Sequence, residues 1–180
     1  MTSTSHGVEL GKVASEFRLN DGRSLEEASD QQPLVLVFMR HFGCTFTRQL
    51  LRGLEQLQKD AEKHGAQLVL IHMLKQGQES QYLGEDATVR SISDPKCQLY
   101  RAFGLGKGGL FELFGPRVWW LGMKAIFQGC GVGKLAGNGL QMPGAFVFHH
   151  GAIISAQRAS TAADLPDLPR LFDGVHLPAP

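Results

Sequence analysis

Hydrophobic residues form two nearly unbroken runs in the first half of the chain, at residues 33–39 and 67–73. Both runs are short and rich in valine and leucine, which is typical of strands buried on both faces of a sheet. Between them, apolar residues recur at helical spacing from about residue 45 to residue 63, and Gly65 provides a C-terminal stop. This strand–helix–strand unit predicts parallel pairing with a right-handed crossover.

The pattern on either side of this unit is less regular. Residues 1–12 are polar and predicted to be mobile, and a short strand at 14–19 and a helical turn at 24–28 follow. Short helices at 76–83 and 95–103 are expected to flank a third strand at 88–93. Two strands at 144–149 and 153–158 predict an antiparallel hairpin, and a last helix is expected at 162–172. Together these elements predict an α/β fold, a mixed central sheet with helices on both faces.

Composition narrows the functional classes. The chain has 180 residues, 43% of them hydrophobic, and fits a single domain over 1–180 with a sizeable core. A net charge of +1 gives no reason to expect nucleic acid as a partner. Three cysteines do not suggest a disulfide-built fold or a zinc pattern, so we expect no metal and no cofactor. No apolar run is long enough to span a bilayer, and we expect a cytoplasmic protein with no transmembrane segment.

A Gly- and aromatic-rich insertion at about 105–141 interrupts the pattern. It contains both tryptophans of the chain and few charges. Burial against the domain, a homodimer interface, an exposed lid and a helix lying on a membrane surface are all compatible with this composition.

Cys44 stands where the first buried strand gives way to the helix. Unpaired backbone N–H groups and the helix dipole at such a position favour the thiolate, and Arg40, His41 and Arg48 can add positive potential. Gly43 allows a sharp bend just before the cysteine. We therefore expect a pKa below the value of about 8.5 for a free thiol, and a nucleophile toward peroxides and disulfides. An inert buried cysteine is the alternative.

Thr47 occupies the position where a Cys-x-x-Cys pair would have its second thiol. Its hydroxyl can donate a hydrogen bond to a thiolate, but it cannot close a disulfide. If Cys44 is oxidised to a sulfenic acid, the resolving thiol must come from Cys97, Cys130, another subunit or an external thiol.

Three stretches of the chain resemble a known group. Residues 38–48, FMRHFGCTFTR, are similar to the "F-x-R-x-F-G-C-x-x-C-R" signature of the peroxiredoxin-like 2 group of the alkyl hydroperoxide reductase/thiol-specific antioxidant (AhpC/TSA) superfamily. Residues 93–105 resemble its "D … Y-x-x-(Y/F)-G" stretch, and residues 137–148 resemble its "G-x-G-x-Q-x-x-G-x-F-V" entry to the hairpin.

The resemblance implies a thioredoxin-like three-layer sandwich and a thiol-dependent oxidoreductase. Cys44, Thr47 and Arg40 would be catalytic, acting on a hydroperoxide or disulfide, with thioredoxin or glutathione as the reducing thiol. Pro143 would be the cis proline that precedes the hairpin in such folds and would help to bind substrate. Thr47 departs from the signature, however, and the usual Pro and Thr before a peroxidatic cysteine are absent.

Further residues and two other functions are considered. Gly43, Arg48 and Arg158 are candidates for substrate binding. Arg158 is expected to bind a peroxide or a carboxylate group. The absence of a second cysteine also fits a redox-inactive or regulatory binding module. The stretch CTFT is similar to Cys-Gly-Phe-Ser of monothiol glutaredoxins, which would imply a shared iron–sulfur cluster with glutathione, and a homodimer is a further expectation.

Overall fold

A five-stranded mixed sheet organises the protein. The computed structural model describes residues 3–42, 44–83, 89–109, 115–127 and 138–175. In chain order, its strands are β1 (Leu34–Phe38), β2 (Gln67–His72), β3 (Arg90–Ser93), β4 (Gly144–His149) and β5 (Ala152–Arg158). Their spatial order is β3-β2-β1-β4-β5, with β1 parallel to β2 and antiparallel to β4. The predicted mixed sheet and its late hairpin are confirmed.

The register of β1 positions its C-terminal end. Phe38 pairs with Ile71 of parallel β2 on one side and with Gly144 of antiparallel β4 on the other. Because β4 runs the opposite way, the segment that enters β4 lies beside the segment that leaves β1. Arg40 therefore meets Gly139 and Gln141, which are distant in sequence.

The first face of the sheet is covered by α1 (Ser3–Glu16), α2 (Leu25–Gln31) and α6 (Gln98–Ala102). Leu10 and Ala14 of α1 pack into the core beside β1. Residues 3–12, expected to be mobile, are helical, and the strand expected at 14–19 was wrong, because this short apolar stripe is enough to seat a helix on the sheet. α2 begins at Ser24 with a reciprocal capping box to Glu27, as the predicted helical turn suggested.

The second face is covered by α3 (Thr45–Arg52), α4 (Leu54–Lys63), α5 (Ser80–Leu83) and α8 (Leu168–Leu171). The single helix expected over 45–63 is divided at Gly53, a residue with poor helix propensity and a non-helical ψ of 7°. The helix expected over 162–172 is reduced to α8, because Pro166 supplies no N–H and Asp167 caps the shorter helix. Helices on both faces give the predicted three layers.

A separate helix from the insertion, α7 (Pro116–Phe127), packs against α3. Val118 of α7 joins a third apolar cluster that contains Cys44 and Phe46. The tryptophans of α7 remain exposed, at 70% for Trp119 and 62% for Trp120. Burial of the insertion against the domain is therefore wrong for the outer side of this helix, and residues 110–114 and 128–137 lie outside the described part of the chain.

Candidate active site

Cys44 lies directly before the first residue of α3, at the carboxyl end of β1. Its backbone is extended, with φ −76° and ψ 131°, and its carbonyl accepts the N–H of Arg48 at 3.1 Å. The side chain is 7% exposed and makes no capping hydrogen bond to the first-turn amides of α3. The sequence correctly predicts this strand-to-helix junction, but the amides are not direct partners of the sulfur.

Arg40 is the direct partner of Cys44. Its Nη1 donates to Sγ at 3.1 Å, and its side chain is only 8% exposed. The other guanidinium nitrogens are anchored on backbone carbonyls, Nε on Gln141 at 3.4 Å and Nη2 on Gly139 at 2.5 Å. A buried cation held in this way stabilises a neighbouring thiolate relative to a neutral thiol.

Gln141 supports this arrangement from the segment that enters β4. Its side chain is 2% exposed, and its Nε2 donates to the carbonyls of Leu105 at 3.1 Å and Gly106 at 3.0 Å. These bonds fix the backbone carbonyl that receives Arg40. Gln141 was seen in the sequence only as part of a motif, and no local signal reveals that it positions an arginine 101 residues away.

His41 and Arg48 do not add the positive charge expected from the sequence. Burial, together with the adjacent Arg40 guanidinium, lowers the pKa of His41 from 6.5 to about 4, so its ring is neutral at pH 7. Arg48 is exposed and lies outside the cleft beside the site. The positive charge at Cys44 therefore comes from Arg40 and the helix dipole.

Thr47 is buried one helical turn after Cys44, with an exposure of 4%. It lines the cleft described below. The hydrogen bonds found among the described residues do not include one from Thr47 Oγ1 to Cys44 Sγ. In this structure Thr47 shapes the site, and the thiolate contact proposed for it from the sequence is not formed.

A cleft of about 670 Å³ opens beside the junction. Its walls come from β1, α3, β4, β5, α7 and residues 159–167, and include Arg40, Phe46 and Thr47. Cys44 itself is not in the lining, but Arg40, which contacts its sulfur, is. The remaining wall carries both apolar and charged side chains, among them Leu50, Leu121, Arg117, Lys124 and Asp164.

Pro143 and Arg158 both line this cleft, as their predicted binding role requires. The Met142–Pro143 bond is trans, so the expected cis proline was wrong, as the trans form is the default even before proline. Arg158 is tied down, since Nη2 donates to the Phe103 carbonyl at 3.1 Å and its guanidinium lies 5.2 Å from the Phe146 ring centroid. Gly43 lies outside the described residues.

Of the two candidate resolving cysteines, only Cys97 is described. It belongs to the core cluster on the first face of the sheet, while Cys44 belongs to the third cluster. Burial raises the pKa of Cys97, and the Asp94 carboxylate raises it further, so the helix that it opens does not activate it. Cys130 lies outside the described residues.

A family model matches the part of the chain that carries most of this sheet. The matched residues are 52–159, more than half of the chain, and the model describes an AhpC/TSA antioxidant enzyme. This chain belongs to the AhpC/TSA family. The match confirms the superfamily predicted from the motifs, and it begins after Cys44, so it does not depend on the cysteine signature. No curated protein matches the sequence.

Solved peroxiredoxin structures share the fold of this AhpC/TSA member. The bacterioferritin comigratory protein of Xanthomonas campestris is 16% identical over 82% of each chain, with a TM-score of 0.53. A peroxiredoxin Q mutant of Xylella fastidiosa is 16% identical over 86% of this chain and 83% of its own, also with a TM-score of 0.53. A peroxiredoxin 6 mutant of Arenicola marina is 13% identical over 84% of this chain and 64% of its own, with a TM-score of 0.58. At these identities the likeness establishes the predicted thioredoxin-like architecture.

Within the described ranges, no three His, Cys, Asp or Glu side chains come together in a way that could hold a metal ion. The same part of the chain has no helix that is long and apolar enough to cross a membrane.

Proposed function

We propose that this AhpC/TSA member is a thiol peroxidase in which Cys44 reduces an organic hydroperoxide and an external thiol regenerates it. The observation that carries the proposal is the 3.1 Å contact between Arg40 Nη1 and Cys44 Sγ, in a buried site beside a cleft. A thiolate is the reactive form of cysteine, and the same guanidinium can stabilise the oxygen that leaves when the peroxide bond breaks.

In the first step, the Cys44 thiolate attacks one oxygen of the hydroperoxide. A bond forms between the sulfur and that oxygen, the O–O bond breaks, and the departing alkoxide takes a proton from solvent to leave as an alcohol. Cys44 becomes a sulfenic acid, oxidised by two electrons, while the peroxide is reduced by two.

Recycling requires two equivalents of an external thiol. The first thiol attacks the Cys44 sulfenic acid, giving a mixed disulfide and water, and the second thiol displaces Cys44 as a free thiolate. Thr47, one helical turn after Cys44, has no thiol, and Cys97 lies in a different core cluster from Cys44. Both facts favour this external route over an internal disulfide.

The cleft supports an organic peroxide as substrate rather than hydrogen peroxide alone. Its volume of about 670 Å³ lies in the range of small-molecule sites, and Leu50, Leu121 and Leu165 on its mixed wall can contact a hydrocarbon body. A large side chain that fills the cleft should therefore slow the reduction of a bulky hydroperoxide more than the reduction of hydrogen peroxide.

The test is steady-state consumption of cumene hydroperoxide and hydrogen peroxide, with glutathione and with thioredoxin as reductants. Wild type should turn over with at least one of these thiols, and Cys44→Ser should not. Ala156→Trp, at the cleft wall of β5, should lower kcat/KM for cumene hydroperoxide at least about tenfold more than for hydrogen peroxide. Ala152→Trp, at the other end of β5, is the matched control. Turnover that persists in Cys44→Ser would disprove the proposal.

A second candidate is a binding module that keeps the fold without turnover. Cys44 is 7% exposed and is not among the residues that line the cleft, and this burial favours a thiol that reacts slowly or not at all. A single stoichiometric oxidation of Cys44, not reversed by either thiol in the same assay, would select this candidate.

A further inference from the structure

The outer side of α7 is strongly apolar and exposed. Five large side chains of this twelve-residue helix are exposed, in the order Trp119 at 70%, Trp120 at 62%, Met123 at 37%, Ile126 at 41% and Phe127 at 83%. Among the described residues, three other large hydrophobic side chains reach comparable exposure, at the separate positions 82, 140 and 154. An apolar surface concentrated on one helix marks an interaction site.

The helical geometry places these five side chains on one stripe. At about 100° per residue they fall within an arc of about 120°. Val118 faces the opposite way, into the cluster around Cys44, and Gly122 lies over the ring of Phe46. α7 is therefore anchored along its inner side and presents a continuous apolar stripe outward.

Two cations border this stripe. Arg117 and Lys124 are seven residues apart and lie on the same flank, between the exposed stripe and the buried side of the helix. Lys124 Nζ is 5.9 Å from the Trp120 ring centroid, and Arg117 is 71% exposed with a 3.6 Å contact to Asp164. The helix has no Asp or Glu of its own, so its only charges are positive.

A second copy of the chain fits this surface poorly. A helix of twelve residues is about 18 Å long, and a face about 10 Å wide offers far less than the roughly 800 Å² per partner of a stable interface. Pairing of two such helices would also bring like charges together without a carboxylate on the helix to offset them. Tryptophan beside lysine and arginine, on a helix lying flat, is the composition of helices that bind anionic membrane surfaces.

We propose that α7 docks the protein on the surface of an anionic lipid bilayer. The apolar stripe would enter the boundary between headgroups and acyl chains, and Arg117 and Lys124 would contact anionic headgroups. Both cations also line the cleft beside Cys44, so docking turns one wall of that cleft toward the lipid. The proposal does not depend on peroxidase activity, and Cys44→Ser should bind vesicles as wild type does.

Intrinsic fluorescence is a direct probe, because both tryptophans of the chain lie on α7. We expect a blue shift on adding phosphatidylcholine vesicles that contain about 30% phosphatidylglycerol, and quenching by brominated acyl chains. The shift should weaken as salt is raised and be much smaller with phosphatidylcholine alone. An equal shift with neutral vesicles, or no shift with anionic ones, would overturn the proposal.

Variants that keep both tryptophans can distinguish the apolar contribution to vesicle binding from the electrostatic one. Ile126→Ser/Phe127→Ser should lower the partition coefficient at least about tenfold, while the matched pair Leu140→Ser/Ile154→Ser should leave it unchanged. Lys124→Glu should lower it about tenfold or more, and Lys75→Glu, an exposed lysine elsewhere, should not.

A concentration-dependent blue shift without vesicles would instead identify a second copy of the chain as the occupant. Sedimentation velocity would then show a doubled mass that Ile126→Ser/Phe127→Ser abolishes. That result would overturn membrane docking in favour of a dimer.

Discussion

Replacing Arg40 with methionine removes the guanidinium from the Cys44 sulfur while keeping a side chain of similar length. At the observed 3.1 Å, the attraction between a thiolate and a cation is about 1.3 kcal/mol in bulk water and about 5 kcal/mol at an effective dielectric constant of 20. Because Arg40 is only 8% exposed, the real value should exceed the lower limit. The lower limit alone corresponds to about tenfold in the thiolate population.

The assay is the second-order rate of iodoacetamide alkylation of Cys44 as a function of pH, followed by peptide mass. Arg40→Met should alkylate at least about tenfold more slowly at pH 7, because the guanidinium no longer stabilises the thiolate that reacts. Arg48→Met is the matched control, since Arg48 lies four residues on the other side of Cys44 and is exposed. It should change the rate less than about twofold.

Arg40 also holds two backbone carbonyls, so loss of packing must be separated from loss of charge. Arg40→Lys keeps the charge and loses the forked contacts, and we expect it to retain most of the alkylation rate. Urea unfolding of each variant identifies those that remain folded at the assay temperature. An Arg40→Met protein that is folded and alkylates at the wild-type rate would refute the argument.

Three further predictions concern packing, protonation and the second described cysteine. A Cβ on Gly144 would lie 2.8 Å from Leu105 Cδ2, so Gly144→Ala should destabilise the fold by about 1–3 kcal/mol in urea unfolding. Gly106→Ala should leave the stability unchanged, because a Cβ at this position would meet nothing within 4 Å. Equal destabilisation by the two substitutions would refute the packing argument. Because folding lowers the pKa of His41 from 6.5 to about 4, the unfolded chain takes up the proton between these values. The contribution of neutral His41 to the free energy of unfolding is therefore fully present above about pH 6.5 and is lost as pH falls toward 4. After allowance for its partial exposure, His41→Gln should reduce that loss by about 1–2 kcal/mol, and an unchanged pH profile would contradict it. Cys97, whose thiol pKa is raised by burial and by the Asp94 carboxylate, should alkylate at least about tenfold more slowly than Cys44 at pH 7, and comparable rates would contradict this raised pKa.

The sequence predicts the elements whose burial is nearly complete. β1 and β2 are unbroken apolar runs, and the junction that follows β1 could be located because the change from a strand pattern to a helical one is local. α1 was missed because a polar segment with a sparse apolar stripe forms a helix only when tertiary contacts support it. Gly53 and Pro166 changed helix lengths by effects that an apolar spacing does not record.

In the candidate site, too, some features follow from the local sequence and others depend on long-range packing. Arg40 could be proposed because it lies four residues before Cys44, but its anchoring on Gln141 depends on the antiparallel pairing of β1 with β4. The neutral state of His41 follows from burial, which the sequence does not specify. Local order therefore identifies the candidate nucleophile, and long-range packing determines which neighbouring groups are charged and in contact.

Intact mass after one equivalent of cumene hydroperoxide, with dimedone present, tests the central claim most directly. The account predicts one dimedone adduct per chain, assigned to Cys44 by peptide mapping and absent in Cys44→Ser. It also predicts that addition of glutathione or thioredoxin in place of dimedone restores the unmodified mass. A chain that keeps its original mass after peroxide, or an adduct that maps to Cys97 or Cys130, would contradict Cys44 as the peroxide-reducing residue.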